Sequence, residues 1–257
     1  MIAEGGFRMI LCNPRIIKTM PGRKTDRPDA EWIADLNRHG MIPSSYVTTL
    51  PIIELRESTR AQKAMGHDVT KYKNRVHNIL QRSNIKLTSY VSDIFEGSGR
   101  KLLNLLLNGE VINLDIVAAC MHGRMKHSPE QILLAMDGRL SANDRQLIDI
   151  QMAMLDSFQK RLAELDTLIG EQLKPFLELY LRLQTIPGVS ERTAGIIIAE
   201  VGADTKAFET VNHLASWSGL APGNNESAGM VKRAGVTHGN KYLKTAMVTA
   251  AMGAKRK

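Results

Sequence analysis

Aromatic side chains make up only 5% of these 257 residues, while methionine, leucine, isoleucine and alanine are plentiful. Sheets are built from aromatic and β-branched side chains, so this balance argues against a β-rich protein and for a mainly α one. Cysteine is nearly absent. Cys12 and Cys120 have neither pairing nor metal-ligand spacing, which excludes a disulfide-stapled secreted scaffold and fits a reducing compartment. No apolar run approaches the roughly 20 residues a membrane span requires. The opening Met1-Ile-Ala-Glu-Gly-Gly6 lacks the basic stretch of a signal peptide. The expectation is a soluble, cytoplasmic protein with no membrane partner. Acid is missing from one region in particular: Ala228 to Lys257 holds seven Lys or Arg and no Asp or Glu, most of the formal +8 charge. Cationic charge concentrated in this way is the electrostatic footprint of a polyanion, nucleic acid first.

The length allows one large domain or two smaller ones. Phe7–Cys12 is a short apolar run that reads as a buried strand, although a lone strand leaves its backbone groups in need of partners. Asp26–His39 reads as a helix stopped by Gly40. Pro51–Leu87 reads as one long helix, with Ile52, Leu55, Thr59, Met65, Val69, Tyr72, Val76 and Ile79 at three- and four-residue steps. Gly99–Gly138 reads as several short helices, one of them opened by the capping box Ser128-Pro-Glu-Gln131. A second long helix is expected from Asp144 to about Leu183, with Leu147, Ile150, Met154, Phe158, Leu165, Leu168 and Leu173 as its seam and a kink at Pro175. Two such helices suggest an antiparallel pair or an oligomerising coiled coil.

Three segments carry residues suited to chemistry. Leu183–Gly202 reads as helix, Pro-Gly-Val turn, helix, with Ser190 as N-cap. It resembles a helix-hairpin-helix, in which the backbone around Gly188, Val189 and Ser190 approaches phosphate at the positive end of the second helix. An ordinary tight helical turn is the alternative. Asp26 and Asp29, in Lys24-Thr-Asp-Arg-Pro-Asp-Ala30, lie three apart at a helix start. They suit either Mg²⁺, which takes oxygen ligands, or the cap and dipole of that helix. Ser227 lies in the glycine- and asparagine-rich run Gly219-Leu-Ala-Pro-Gly-Asn-Asn-Glu-Ser-Ala-Gly229, flanked by helical segments and by Lys232, Arg233, Lys241 and Lys244. A serine that attacks nucleic-acid phosphate needs an exposed hydroxyl, a permissive backbone and cations to hold the polyanion. A turn with a capping serine has the same composition. The histidines show no metal-ligand spacing; His213 and His238 flank the serine loop.

Lys24–Ala30, the Thr185-Ile-Pro-Gly-Val189 hairpin, the serine loop and Gly239-Asn-Lys-Tyr-Leu-Lys244 occur in that order. In combination they resemble the transposases of the insertion-sequence one-ten family, the RNA-guided recombinases with a DEDD acidic set and a serine. The resemblance covers nearly the whole chain. It implies a RuvC-like, RNase H-type domain, then a coiled-coil region, then a transposase domain with the nucleophile. Asp26 and Asp29 match the third and fourth acids and help bind Mg²⁺, and Ser227 matches the serine that joins DNA covalently. The partners it implies are DNA, a guide RNA and other copies of the chain.

On this resemblance the expected fold is mainly α. It comprises a partial RuvC-like segment at 1–48, a helical and coiled-coil region at 49–182, and at 183–257 a helical transposase domain opening with the helix-hairpin-helix. Only 25 residues precede Asp26 and Glu4 is their one acid, so the first two acids are expected to be missing and the chain to be truncated at both ends. The expected function is a DNA transposase that cuts and rejoins DNA through Ser227, inactive alone for want of those acids. The alternative is a non-catalytic nucleic-acid-binding fragment.

Overall fold

A computed structural model describes residues 10–12, 14–20, 29–45, 47–109, 111–123, 125–204, 208–222, 226–227, 230–231, 235–236 and 238–255. Among them the chain is mainly helical. In order come α1 (Pro14–Thr19), α2 (Asp29–Arg38), α3 (Leu50–Arg82), α4 (Leu87–Tyr90), α5 (Gly97–Asn108), α6 (Leu114–Cys120) and α7 (Pro129–Ala135). Then follow α8 (Ala142–Leu173), α9 (Leu177–Gln184), α10 (Glu191–Val201), α11 (Val211–Ser218), the short strands β1 (Glu226–Ser227) and β2 (Met230–Val231), and α12 (Lys241–Lys255). Two compact units result, one from Met1–Arg56 with Phe176–Lys257, the other from Glu57–Pro175.

The strand expected at Phe7–Cys12 is not found where the chain is described: residues 10–12 have no regular structure, and the Leu11 carbonyl accepts from the Ser45 amide. Residues 7–9 lie outside the described residues. Helix α2 carries Asp29 and Glu31 in its first turn and Arg38 in its last, which suits both ends of the helix dipole.

In the unit of residues 57–175, α3 and α8 run antiparallel. Arg82 pairs with Asp144, the Tyr72 and Phe158 rings lie 5.2 Å apart, and the Gln62 amide donates to Asp166, so numbers fall along one helix as they rise along the other. Helix α3 stops at Arg82 rather than Leu87; Asn84 adopts φ 58° just beyond, a left-handed conformation that ends helices. Ser141 caps α8, its Oγ accepting from the Asp144 amide; its hydroxyl and its own amide donate to the Asp144 carboxylate, and these two bonds, with the Arg82 guanidinium, hold that carboxyl below its ordinary value. The capping box Ser128–Gln131 forms on α7 as its sequence indicates.

The seam expected for α8 is met in part: Leu173 is buried, Leu147 packs on the core and Phe158 lies against Tyr72. Ile148, Met152, Leu155, Ile169 and Leu173 are the buried positions, whereas Ile150, Met154 and Leu168 are 57%, 38% and 46% exposed. Pro175 breaks the helix outright. The 3₁₀ turn Lys174–Phe176 separates α8 from α9, because proline offers no N–H and collides with the preceding turn. The core of this unit gathers Leu80, Leu102, Leu103, Val117, Ile132 and Ile148, all fully buried. Each leucine or isoleucine there stabilises the fold by about 1.5–3 kcal/mol over leaving it in water.

In the other unit, α10 packs against both α9 and α12, and α11 packs against α12. Val189, Ala194 and Ala250 form the buried centre of this contact, with Tyr180, Leu183 and Ile197 around them. Burial pushes the Tyr180 phenol up, and the Glu191 carboxylate adds to the shift.

Candidate functional site

The segment from Gly219 to Gly239 leaves and returns to one place. Helix α11 starts at Thr210, whose hydroxyl accepts from the His213 amide, and stops at Gly219 with φ 73°. Gly239 lies directly against that stop, since a Cβ there would overlap the Gly219 amide nitrogen. The Asn240 amide donates to the Trp217 carbonyl at 3.1 Å. Farther out, Pro222 pairs with Val236 in an antiparallel bridge. Beyond that, β1 and β2 form a two-stranded antiparallel ladder, Glu226 opposite Val231 and Ser227 opposite Met230. Ser227 therefore occupies the last backbone pair of the hairpin, with only Ala228 and Gly229 between it and Met230 in sequence.

Under the foot of this loop is a buried polar cluster. Asn240 Nδ2 donates to Glu200 Oε2 at 2.6 Å, while its Oδ1 accepts from the amides of Tyr242 and Leu243 at 3.0 and 3.1 Å and so caps α12. The Glu200 side chain is 1% exposed, and Arg56 Nε lies 3.7 Å from its carboxylate. The same guanidinium donates to the Ala199 and Glu200 carbonyls at 2.8 and 3.2 Å. A buried carboxylate is costly unless it is paired and hydrogen-bonded, and here both conditions hold. The guanidinium also faces the C-terminal end of α10, where the helix dipole favours a cation.

Sequence reading missed all three residues. Glu200 carries a signal, an acid following the apolar run Gly195-Ile-Ile-Ile-Ala199 on a helix with no base within four residues after it. Asn240 carries a second, directly before a helix start. Arg56 carries none, because its partner is 144 positions away.

The residues expected to grip phosphate are distributed as follows. Gly188, φ 84°, turns its Cα toward α12, and a Cβ there would overlap the Ala250 carbonyl. The glycine thus has a packing reason independent of any ligand. Val189 is 8% exposed and belongs to the apolar centre. Ser190 is exposed and caps α10, its Oγ accepting from the Thr193 amide. Lys241 is exposed at the first position of α12, with Nζ 5.2 Å from the Tyr242 ring centre; Lys244 is half-buried one turn on. Lys232, Arg233 and Asp26 lie outside the described residues. Asp29 is exposed at the start of α2. His213 and His238 are both exposed.

Among the described residues, no group of three or more His, Cys, Asp or Glu gathers that could hold a metal ion. Among them, too, no helix is long and apolar enough to cross a membrane.

Comparison with known proteins matches both ends of the chain. Residues 1–85 match a transposase family model, that of the DEDD transposases of IS110, and residues 180–257 match the model described as "Transposase IS116/IS110/IS902 family". The chain is 26% identical over 271 aligned residues to the "Insertion element IS110 uncharacterized 43.6 kDa protein" of Streptomyces coelicolor. That alignment takes in 92% of this chain and 62% of the relative, so the chain spans less than two thirds of the relative's length.

Proposed function

The chain belongs to the IS110 family of transposases, and from that premise we propose that it acts on DNA by strand cutting and rejoining, with Ser227 as nucleophile. The observation that carries this reading is the hairpin: Ser227 closes a paired β-ladder inside the segment that matches the transposase model. Fixed backbone pairing beside the nucleophile suits a reaction in which one oxygen must meet one phosphorus in line.

In the proposed step, Ser227 Oγ bonds to the phosphorus of a DNA phosphodiester and gives up its proton. One sugar oxygen–phosphorus bond breaks, and the departing sugar oxygen takes up a proton. Attack by another strand's hydroxyl on the serine ester reverses the step and frees the serine. The number of phosphoester bonds is unchanged, so no energy source is needed. Lys241 and Lys244, with Lys232 and Arg233, supply cations for the DNA backbone. The turn around Gly188 and Ser190 serves as a helix-hairpin-helix contact through the amides that open α10. Asp26 and Asp29 contribute two carboxylates to a divalent-metal site of the RuvC-like segment. Among the described residues that site is not assembled. A guide RNA and further copies of the chain are the partners proposed with DNA.

The test is a covalent adduct. This chain is incubated with labelled insertion-element DNA, guide RNA, Mg²⁺ and a full-length family member whose own serine is replaced by alanine, which supplies a complete acidic set; after denaturation, label is expected to remain on this chain. Ser227→Ala is expected to lose the adduct while keeping salt-sensitive DNA binding. An adduct that persists in Ser227→Ala removes this serine from the chemistry.

A further inference from the structure

Among the described residues, the Asn240 side chain ties the foot of the Gly219–Gly239 loop to the helices beside it. Asn240 joins three elements at once: its backbone amide reaches the Trp217 carbonyl of α11, its Oδ1 caps α12, and its Nδ2 donates to the buried Glu200 carboxylate of α10. Gly239, immediately before it, is pressed against Gly219 at the other end of the loop. The two ends of the loop therefore meet at Asn240, and Glu200 fixes that meeting point to α10. Arg56 in turn faces the Glu200 carboxylate and holds the last carbonyls of α10.

We propose that Asn240 is a positioning residue for the Ser227 hairpin, locking the foot of the loop to Glu200 and, through Glu200, to Arg56. The inference rests on the reading of Ser227 as nucleophile. It adds to that reading the device that sets where the hairpin stands.

The chemistry of the side chain is specific. Capping α12 requires an acceptor and reaching Glu200 requires a donor; a neutral amide provides both. Aspartate in place of Asn240 keeps the acceptor but sets two carboxylates against each other. Serine keeps a cap but is too short to span to Glu200. Glutamine in place of Glu200 still accepts from Asn240 and loses the ion pair with Arg56.

This supplies a test in which the direction of one hydrogen bond is reversed. The full chain is prepared as wild type, Asn240→Asp, Glu200→Gln and the double variant Asn240→Asp with Glu200→Gln. In the double variant the introduced glutamine amide donates and the introduced aspartate carboxylate accepts, while that same carboxylate still caps α12. The first readout is amide hydrogen exchange of peptides spanning residues 217–243, with peptides of 97–108 as an internal reference. Asn240→Asp is expected to speed exchange at the foot of the loop about tenfold or more, the scale of losing a hydrogen bond to a charged group. The reference peptides are expected to stay unchanged, and the double variant to return most of the protection. The second readout is the Ser227–DNA adduct, expected to fall about tenfold or more in Asn240→Asp at retained DNA binding, and to recover in the double variant.

Unchanged exchange in Asn240→Asp, or a double variant no better protected than Asn240→Asp, overturns the clamp. So does an adduct yield that ignores both substitutions. A wild-type chain that forms no adduct even with the full-length family member present, yet shows the exchange pattern and its rescue, instead overturns the reading of Ser227 and leaves Asn240 as the loop's clamp.

Discussion

Replacing Gly188 by alanine separates two explanations of the same glycine. With φ 84°, position 188 is in the left-handed region, where an L-residue costs about 1–2 kcal/mol. The added Cβ would also overlap the Ala250 carbonyl and crowd the Ala254 amide. Both belong to the backbone of α12, which has no side-chain freedom with which to yield. Forcing such a contact apart costs about 1–3 kcal/mol more, as α12 shifts away from Val189 and Ala194. The sum is about 2–5 kcal/mol, and with a urea slope of about 2 kcal/mol per molar the midpoint falls by about 1–2 M. The assay is built into the sequence: Trp32 and Trp217 are the two tryptophans, and both belong to the unit that contains Gly188. Their fluorescence through a urea titration reports that unit. Had glycine been required only so that phosphate can approach the turn, Gly188→Ala would leave the midpoint in place and weaken DNA binding alone. That result would refute the packing argument.

Two further outcomes concern the unit of residues 57–175. Burial lowers the pKa of His77 below its ordinary 6.5, with Asp93 opposing and Lys73 adding to the shift. The unfolded chain therefore binds more protons as pH drops through 6.5, and stability is expected to decline below that pH until the folded-state pKa is passed. His77→Gln is expected to flatten this decline, as measured by exchange of the unit's amides between pH 7 and 5; an equal slope in both proteins would exclude His77 as its source. Leu102 is fully buried in the core of this unit, and Leu102→Ala is expected to cost about 2–5 kcal/mol by chemical denaturation followed by circular dichroism. A loss under about 1 kcal/mol would mean that the cavity collapses.

What was legible in the sequence was local. Ser128 with Gln131 and Ser190 before α10 announced helix starts, because a cap and its amide are three residues apart. Pro175 announced a kink for an equally local reason, and the fold turns it into a break between α8 and α9. The apolar stripe of α3 was readable since its other faces are charged. Helix α8 has apolar residues on more than one face, so the expected seam mixed Leu147, Phe158 and Leu173, which pack inward, with Ile150, Met154 and Leu168, which do not; only the partners in the fold select among faces. Over residues 10–12 the strand reading rested on composition alone, which cannot distinguish a strand from irregular chain held by a bond to Ser45. Gly188 was recognised as special, but the contact that requires it comes from Ala250, far along the chain. The Arg56–Glu200–Asn240 cluster has the same character: each residue is ordinary where it stands in the sequence, and the meaning lies in the juxtaposition.

The division of the chain bears on the order in which it can fold. Residues 57–175 form one unbroken stretch, so every contact of that unit is available as soon as Pro175 has left the ribosome. The other unit is discontinuous. Its Arg56 must wait for Glu200, 144 positions later, and Glu200 must wait again for Asn240. Closing so long a loop carries an entropic cost that short-range contacts escape, and non-local pairings of this kind form slowly. During synthesis an entire neighbouring unit can therefore be completed between the appearance of Arg56 and that of the carboxylate it will face. The clamp at Asn240 is the late event that closes what the segment around Arg56 began.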